Sequence, residues 1–268
     1  MPTTEHVNST AENSDTSNTV SRRRLLGSAA ATVVASASLS VASRSVAADT
    51  DEIAELDFRD GVPDVADAPQ AEAEVVFKIH GYTSSSASVE RAATFRETAS
   101  AVGYDEPVTA VTWDDSSLPT SAIQSARDTG DLFATWLADY TDANPSTTIR
   151  ILGHSMGGIV QMETLAAIDG DFTVATVDSI GSFEASDAPC EDGAFFDAIQ
   201  ASADAVHNYY STNDGVARLG SGPADCGSWF SDGTTPDNYD DIDVSDSVSD
   251  HSAYREETGC VSAIVNNY

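Results

Sequence analysis

Short apolar runs alternate with longer amphipathic stretches along the chain from residue 74 onward. The runs are rich in β-branched residues and predict strands over 74–80, 107–113, 147–152, 172–180 and 205–211, with a weaker strand over 241–244. Apolar residues at helical spacing predict helices over 88–102, 120–140, 157–168 and 194–203, and a helical end from residue 252. This alternation favours right-handed crossovers, so the predicted fold class is α/β, with a mainly parallel sheet flanked by helices over 72–268.

The residues before this region lack the alternation. Residues 1–20 are polar and without periodicity, which predicts disorder. The motif SRRRLLG over 21–27, a weakly apolar stretch over 28–42 and small residues over 45–48 follow one another in the order of an export signal. The acidic segment 49–71 carries two prolines and predicts a linker that holds one short strand near 53–58.

Paired arginines within the run 22–24, ahead of two leucines, resemble a twin-arginine signal, which directs folded proteins to a dedicated export machinery. We therefore expect that machinery as a partner, cleavage of residues 1–48 near Ala47 and Ala48, and a secreted mature protein. Alanine and serine dominate the apolar stretch, which disfavours a stable membrane span.

The strongly negative charge of the chain limits which partners it can bind and which salt concentration it needs. There are 44 acidic and 12 basic residues, a net charge of −32 at pH 7. A nucleic-acid partner is disfavoured because its phosphates would be repelled. At molar salt the Debye length falls to about 3 Å and screens this self-repulsion, whereas in dilute buffer the same charges oppose folding. The composition resembles that of haloarchaeal proteins and predicts adaptation to concentrated salt.

The motif GHSMG over 153–157 lies between a predicted strand and a predicted helix. So tight a turn admits only small residues on either side of the serine and holds its hydroxyl clear of the backbone at the start of the helix. Together with Gly158 the motif resembles the nucleophile elbow of the α/β-hydrolase superfamily, most closely that of its lipases and esterases. The resemblance covers roughly residue 75 to the C-terminus and implies that Ser155 is the nucleophile.

A serine hydroxyl needs a base within hydrogen-bond reach, and the base needs an acid that orients it. His251 follows the last predicted strand and precedes a helix, where the superfamily carries its base. Asp214, just past the preceding strand, preserves the family order of serine, acid and histidine; Asp178, at the end of the strand before it, is the rival. The sequence around Asp214 is also a generic turn signal, and a solvated loop histidine is the alternative for His251.

Backbone amides are the candidates for binding the oxyanion of the transition state. The elbow supplies the N–H group of Met156. The segment HGY over 80–82 resembles a lipase motif in which the third residue donates its backbone amide. The resemblance implies that Tyr82 is the second donor. The alternative is an ordinary turn at the end of a strand.

The chain departs from the family in two ways. Little chain precedes the strand over 74–80, so the usual first two strands are mostly missing, and no cap domain is visible. Instead there are two loops rich in Gly, Ser, Asp and Pro, 181–193 and 219–239. Their aromatic residues Phe183, Trp229 and Phe230 suit either an acyl pocket or lid, or small cores beneath the loops.

Three further features are the cysteines, a lysine in a predicted central strand and an acidic run near the C-terminus. Cys190, Cys226 and Cys260 allow one disulfide in three pairings and leave one thiol. Lys78 lies in a predicted central strand and is expected to reach an acid or the end of the sheet. No cofactor or metal site is predicted, because the acidic run over 239–250 lacks the glycine and terminal glutamate of an EF-hand loop.

Together these features predict a secreted, salt-adapted serine hydrolase that cleaves carboxylic esters of small molecules or lipids, as a lipase or esterase does. A peptidase or thioesterase on the same fold is the first alternative, because the elbow chemistry is common to all three. The second alternative is a non-catalytic exported binding protein, which would be favoured if His251 pointed away from Ser155.

Overall fold

A computed structural model describes residues 53–64, 73–217, 222–227, 233–256 and 259–268. The strands are β1 (Ala54–Asp57), β2 (Glu74–Ile79), β3 (Val108–Thr112), β4 (Thr148–His154), β5 (Val174–Ile180), β6 (Ala203–Tyr210) and β7 (Tyr239–Asp243). The helices are α1 (Ser88–Ala101), α2 (Pro119–Ala143), α3 (Gly157–Ile168), α4 (Phe196–Ser202) and α5 (Val261–Val265), with 3-10 turns at Ser85–Ala87 and Ala253–Arg255. The predicted export signal over 1–48, residues 49–52 and 65–71 of the linker, Trp229 and Phe230 lie outside the described residues, so the expectations about them stay predictions.

The strands form one seven-stranded sheet in the order β1-β3-β2-β4-β5-β6-β7, and every neighbouring pair is parallel. This confirms the predicted fold class, a mainly parallel sheet flanked by helices. The short strand predicted near 53–58 is β1, which pairs with β3 at one edge of the sheet. The helical end predicted from residue 252 is confirmed in part: among the described residues it consists of the 3-10 turn Ala253–Arg255 and the short α5, whose Val261 and Ile264 lie in the core.

Helices cover both faces of the sheet, and alternate residues of β2 show how. Val75 and Phe77 pack in a core cluster with α2, α3 and α4, whereas Val76 packs on the opposite side with α1 and α5. Lys78 shares the alternation of Val76 and therefore points to the α1 side. Among the described helices, none is long and apolar enough to cross a membrane.

The parallel sheet brings the candidate residues to one edge. The carboxyl ends of parallel strands lie together, and ligands of such sheets bind outside those ends. The segments that follow β2, β4, β6 and β7 contain Tyr82, Ser155, Asp214 and His251 in that order.

A disulfide joins Cys190 to Cys226, with the two Cα atoms 5.4 Å apart, and so links the long loops 181–193 and 219–239. Cys260 is a buried thiol, and burial raises its pKa to about 12, which makes it a poor nucleophile. In the first of these loops Phe183 packs against the core on the α3 side, which favours a packing role for this residue over a lid.

Candidate active site

Ser155 occupies the sharp turn between β4 and α3. Its φ angle is +56°, in the left-handed region that residues other than glycine rarely adopt. The amide of Ser155 donates to the carbonyl oxygen of Ile180 at 3.1 Å. Its own carbonyl oxygen accepts the amides of Gly158 at 2.9 Å and Phe183 at 3.1 Å. The strained turn is therefore held by backbone hydrogen bonds on both sides, with the serine at its tip.

Two glycines let the neighbouring loop pack directly against this turn. A Cβ atom on Gly157 would lie 2.8 Å from the carbonyl oxygen of His80. A Cβ atom on Gly81 would lie 2.9 Å from the Cβ atom of Ser155. Both distances are too short for carbon, so only glycine permits this approach of the two backbones.

His251 and Asp214 form a close pair at the same edge of the sheet. Nδ1 of His251 lies 2.7 Å from Oδ2 of Asp214. An ionised carboxylate only accepts hydrogen bonds, so Nδ1 carries the proton and Nε2 of the neutral ring keeps its lone pair. The side chain of Asp214 is fully buried, whereas that of His251 is 20% exposed. The ring is thus oriented at one nitrogen and able to accept a proton at the other.

Asp214 has both of the roles considered from the sequence: its side chain closes a turn and also contacts the histidine. Its Oδ1 atom accepts the amides of Val216 and Ala217, each at 2.9 Å. Burial, followed by the charge of Asp214, raises the pKa of the nearby Tyr254 phenol. The turn therefore fixes the carboxylate while leaving Oδ2 for His251.

Ser155 and His251 line one open pocket of about 420 Å³. Tyr82, Gly215 and Val216 contribute to the same lining. Among the described residues, no hydrogen bond joins the Ser155 hydroxyl to the His251 ring. Catalytic hydrogen bonds are often long before substrate binds and shorten in the complex, so both side chains remain available for one reaction.

Asp178, the rival acid, has a different histidine partner. Its Oδ1 atom lies 2.8 Å from Nδ1 of His207, the residue opposite it on β6. Asp178 lies within β5 and not past its end, and it is fully buried. Asp214 is therefore the carboxylate that His251 meets.

His154, the residue before the serine, contacts the backbone of His251. Its Nε2 atom lies 3.0 Å from the carbonyl oxygen of His251, so Nε2 carries a proton and donates it. Burial, followed by the charges of Lys78 and His251, holds the pKa of His154 well below its ordinary value. His154 is therefore neutral and positions the loop that carries His251.

Two backbone amides near Ser155 are unused. Neither the amide of Met156 nor that of Tyr82 donates to another group of the described residues. Met156 directly precedes α3, and Tyr82 follows Gly81, which touches the serine. Both amides are thus free to bind an oxygen atom of a ligand in the pocket.

The loop that carries Tyr82 is fixed by Asp115. One oxygen of this buried carboxylate accepts the amides of Ser84 at 2.5 Å and Ser85 at 3.0 Å. The phenol of Tyr82 donates to the carbonyl oxygen of Ser117 at 2.8 Å. The loop after β2 is thereby tied to the segment between β3 and α2, which limits movement of the Tyr82 amide.

His80 supports this loop and is not a base. Its Nε2 atom accepts the amide of Trp113 at 3.1 Å, and its Nδ1 atom donates to the carbonyl oxygen of Gly81 at 2.8 Å. The ring stacks on the Trp113 indole with centroids 5.3 Å apart. Burial lowers the pKa of His80 to about 4, so it stays neutral and holds the backbone.

Lys78 reaches the end of its own strand, one of the two outcomes expected from the sequence, and pairs with none of the described acids. It is 3% exposed, and its Nζ atom donates to the carbonyl oxygen of Ile79 at 3.1 Å. Its position on a central strand, covered by α1, keeps the side chain beneath the surface, where none of the described carboxylates comes within ion-pair distance. Burial lowers the pKa of Lys78 to about 7.

Arg91 and Arg255 also line the pocket, and no sequence motif marks either of them. The sequence signal that could have identified them is the small number of basic residues in the chain. With 12 basic residues in 268, each one that neighbours a predicted active-site segment deserves inspection. Arg91 lies in α1 and Arg255 four residues after His251.

No model of a protein family matches the chain, and no curated protein matches it. Among solved structures, the chain is similar to the catalytic core domain of acetyl xylan esterase from Trichoderma reesei, at 15% identity and a TM-score of 0.44, over 74% of this chain and 98% of that one. It is similar to a cutinase of the same organism in complex with a phosphonate inhibitor, at 15% identity and a TM-score of 0.35, over 49% of this chain and 59% of the cutinase. A third is the RedJ thioesterase of Streptomyces coelicolor, at 12% identity and a TM-score of 0.42, over 77% of this chain and 88% of that one.

Proposed function

We propose that the protein is a serine hydrolase that cleaves carboxylic esters, as a lipase or esterase does, through an acyl-enzyme. The observation that carries the proposal is the 2.7 Å contact between His251 and Asp214, with His251 lining the same pocket as Ser155. A serine on a strained turn, an oriented imidazole and a buried carboxylate are the combination that acyl transfer uses. The pocket volume of about 420 Å³ suits a small ester or part of a lipid ester.

Ser155 is the proposed nucleophile. Its Oγ atom attacks the ester carbonyl carbon while Nε2 of His251 takes the hydroxyl proton, and Asp214 stabilises the imidazolium that forms. The carbonyl oxygen becomes negative and accepts hydrogen bonds from the amides of Met156 and Tyr82. Because these donors are backbone groups, they need no rearrangement as the charge develops.

The second half of the reaction releases the products. His251 returns its proton to the leaving alcohol as the carbon–oxygen bond breaks, which leaves the acyl group on Ser155. A water molecule then gives its proton to His251 and attacks the acyl carbon. Release of the carboxylic acid returns the proton to Ser155, so no cofactor is consumed.

We propose further that the enzyme is exported and works in concentrated salt. The SRRRLLG motif and the small residues over 45–48 support export through the twin-arginine machinery. The net charge of −32 supports a salt-adapted surface. Export would place the catalytic domain where extracellular esters are its substrates.

A chain-length series of 4-nitrophenyl esters at molar salt tests the activity, with 4-nitroanilides and acyl thioesters as the arms for peptidase and thioesterase. Ser155→Ala should lower kcat by at least about 10³-fold with an unchanged circular dichroism spectrum. Ser100→Ala is the matched control, because Ser100 is an exposed serine on α1 and should leave kcat unchanged.

An organophosphate that phosphorylates activated serines provides a readout independent of the substrate. Mass spectrometry should locate the adduct on Ser155, and His251→Ala should prevent it. Turnover retained in the Ser155→Ala variant, or an adduct confined to other serines, would remove Ser155 from the mechanism.

A further inference from the structure

Two arginines line the candidate active site, and neither has a carboxylate partner in the part of the chain that the structure describes. Arg91 and Arg255 line the pocket that contains Ser155 and His251, and both are half-buried. Neither guanidinium has a carboxylate within ion-pair distance among the described residues. An arginine in a chain with 44 acidic residues would ordinarily find an acid, so two unpaired ones in one pocket call for a physical reason.

Other arginines of the described residues show the ordinary behaviour. Arg59 pairs with Asp57 at 2.5 Å, Arg127 with Glu163 at 3.1 Å and Arg150 with Glu74 at 2.6 Å. These three pairs lie away from the pocket. Among the described residues, carboxylates therefore pair with these three guanidinium groups but not with the two in the pocket.

The two pocket arginines also act on each other and on a third cation. Burial, followed by the charge of Arg91, holds the pKa of Arg255 below its ordinary value. Lys78 is fully buried, and after burial the charges of Arg255 and Arg91 are the next causes that lower its pKa. The two arginines that line the pocket therefore raise its potential locally, although the whole chain is strongly acidic.

The acid in the pocket lining does not neutralise this cluster. Glu256, next to Arg255 in the chain, and Asp250, which borders the pocket, favour the charged form of Arg255, but neither carboxylate comes within ion-pair distance of it. Its Oδ1 atom accepts the amide of Ser252 at 2.8 Å and the hydroxyl of Ser252 at 2.7 Å. Asp250 is thus committed to its own turn, and both guanidinium groups keep their donors for a ligand.

We infer that Arg91 and Arg255 bind an anionic group of the substrate, so that the preferred esters carry a carboxylate in their acyl or alcohol part. The inference rests on the proposed function and specifies the substrate class of the same site. A guanidinium presents its N–H donors as a planar fork that matches a carboxylate, and such charge-assisted pairs are among the stronger hydrogen bonds in proteins. A bound carboxylate would also relieve the repulsion between the two half-buried cations.

Matched substrates test this in turnover. 4-Nitrophenyl hydrogen adipate carries the carboxylate on the acyl side, and its methyl ester is the neutral control. 4-Carboxyphenyl hexanoate and its methyl ester form the corresponding pair on the alcohol side. We expect kcat/KM for the acid of at least one pair to exceed that for its neutral ester by about tenfold or more, as a charge-assisted contact would give.

Arg91→Gln and Arg255→Gln should each remove most of this preference by lowering kcat/KM for the acid alone. Arg127→Gln is the matched control, because Arg127 pairs with Glu163 outside the pocket and should leave the preference unchanged. Equal kcat/KM for acid and neutral ester in the wild type would overturn the inference. An equal loss on both substrates in the arginine variants would also overturn it, since the cluster would then act on the oxyanion or on the fold.

A binding measurement separates this inference from the proposed function. In the Ser155→Ala background, monomethyl adipate should raise the melting temperature and dimethyl adipate should not. The rise should be absent from the Ser155→Ala protein that also carries Arg91→Gln and Arg255→Gln. No shift with the monoacid overturns the inference whether or not esters are cleaved. A selective shift without ester cleavage supports the anion site and contradicts the proposed esterase activity instead.

Discussion

The imidazole of His251 meets the carboxylate of Asp214 at 2.7 Å, although 37 residues separate them in the chain. The contact forms because β6 and β7 are parallel neighbours whose carboxyl ends lie side by side. The other oxygen of Asp214 is occupied by the amides of Val216 and Ala217, so the carboxylate cannot turn away from the ring.

Asp214→Asn should lower kcat for ester hydrolysis by about 10³–10⁴-fold while the protein remains folded. The asparagine oxygen can still accept the two turn amides, but an amide group facing Nδ1 favours the wrong tautomer of His251. Steady-state kinetics on the best 4-nitrophenyl ester measures the effect. Asp178→Asn is the control: it removes a carboxylate that pairs with His207 and should leave kcat much less affected. A larger loss of kcat from Asp178→Asn than from Asp214→Asn would reverse the proposed roles.

Lys78→Met should stabilise the protein at pH 6 and lose that advantage as the pH approaches 10.5. The folded-state pKa of Lys78 is about 7 against an ordinary 10.5, with burial as the main cause. Below pH 7 both states carry the proton, so the cost of burying the charge is fully present. Between these pKa values only the unfolded state stays protonated, so the wild type gains stability as the pH rises.

Differential scanning calorimetry of the Lys78→Met variant and the wild type at pH 6, 8 and 10 measures this trend. Arg59→Met serves as the control, because Arg59 is a half-exposed cation whose partner Asp57 has a lowered pKa and stays ionised from pH 6 to pH 10, so the difference should be independent of pH. A gain from Lys78→Met that is equal at pH 6 and pH 10 would assign the effect to packing and not to charge.

Reduction of the disulfide should destabilise the protein by about 4 kcal/mol, as expected for a closed loop of 36 residues. Urea unfolding with and without a reductant measures the difference. The Cys190→Ser, Cys226→Ser double variant should show no response to reductant, whereas Cys260→Ala should keep the full response because Cys260 is a free thiol. A wild type whose midpoint ignores the reductant would contradict the Cys190–Cys226 bond.

Lowering the salt concentration should unfold the protein. The 44 acidic residues face only 12 basic ones, and their repulsion acts over a Debye length of about 10 Å at 0.1 M salt but only about 3 Å at 1 M. Circular dichroism across a sodium chloride series measures the transition, with sucrose as the control for general solute exclusion. A spectrum that persists unchanged into dilute buffer would show that screening of the acidic surface is not required for folding.

The sequence by itself was enough for the order of strands and helices, the parallel sheet and the elbow at Ser155. These features depend on local patterns: the period of apolar residues distinguishes strand from helix, and a serine between small residues at a strand–helix junction indicates the turn. The order of strand ends along the chain was also enough to propose Asp214 and His251.

Only the tertiary structure decided which aspartate meets His251, which cysteines pair, and that Lys78 pairs with none of the described acids. It also placed Arg91 of α1 beside Arg255, two residues that no local pattern connects. Each of these outcomes is a distance between side chains that are far apart in the sequence. Such distances arise from how α1, the sheet and the loops pack, and the periodicity of any single segment carries no information about them.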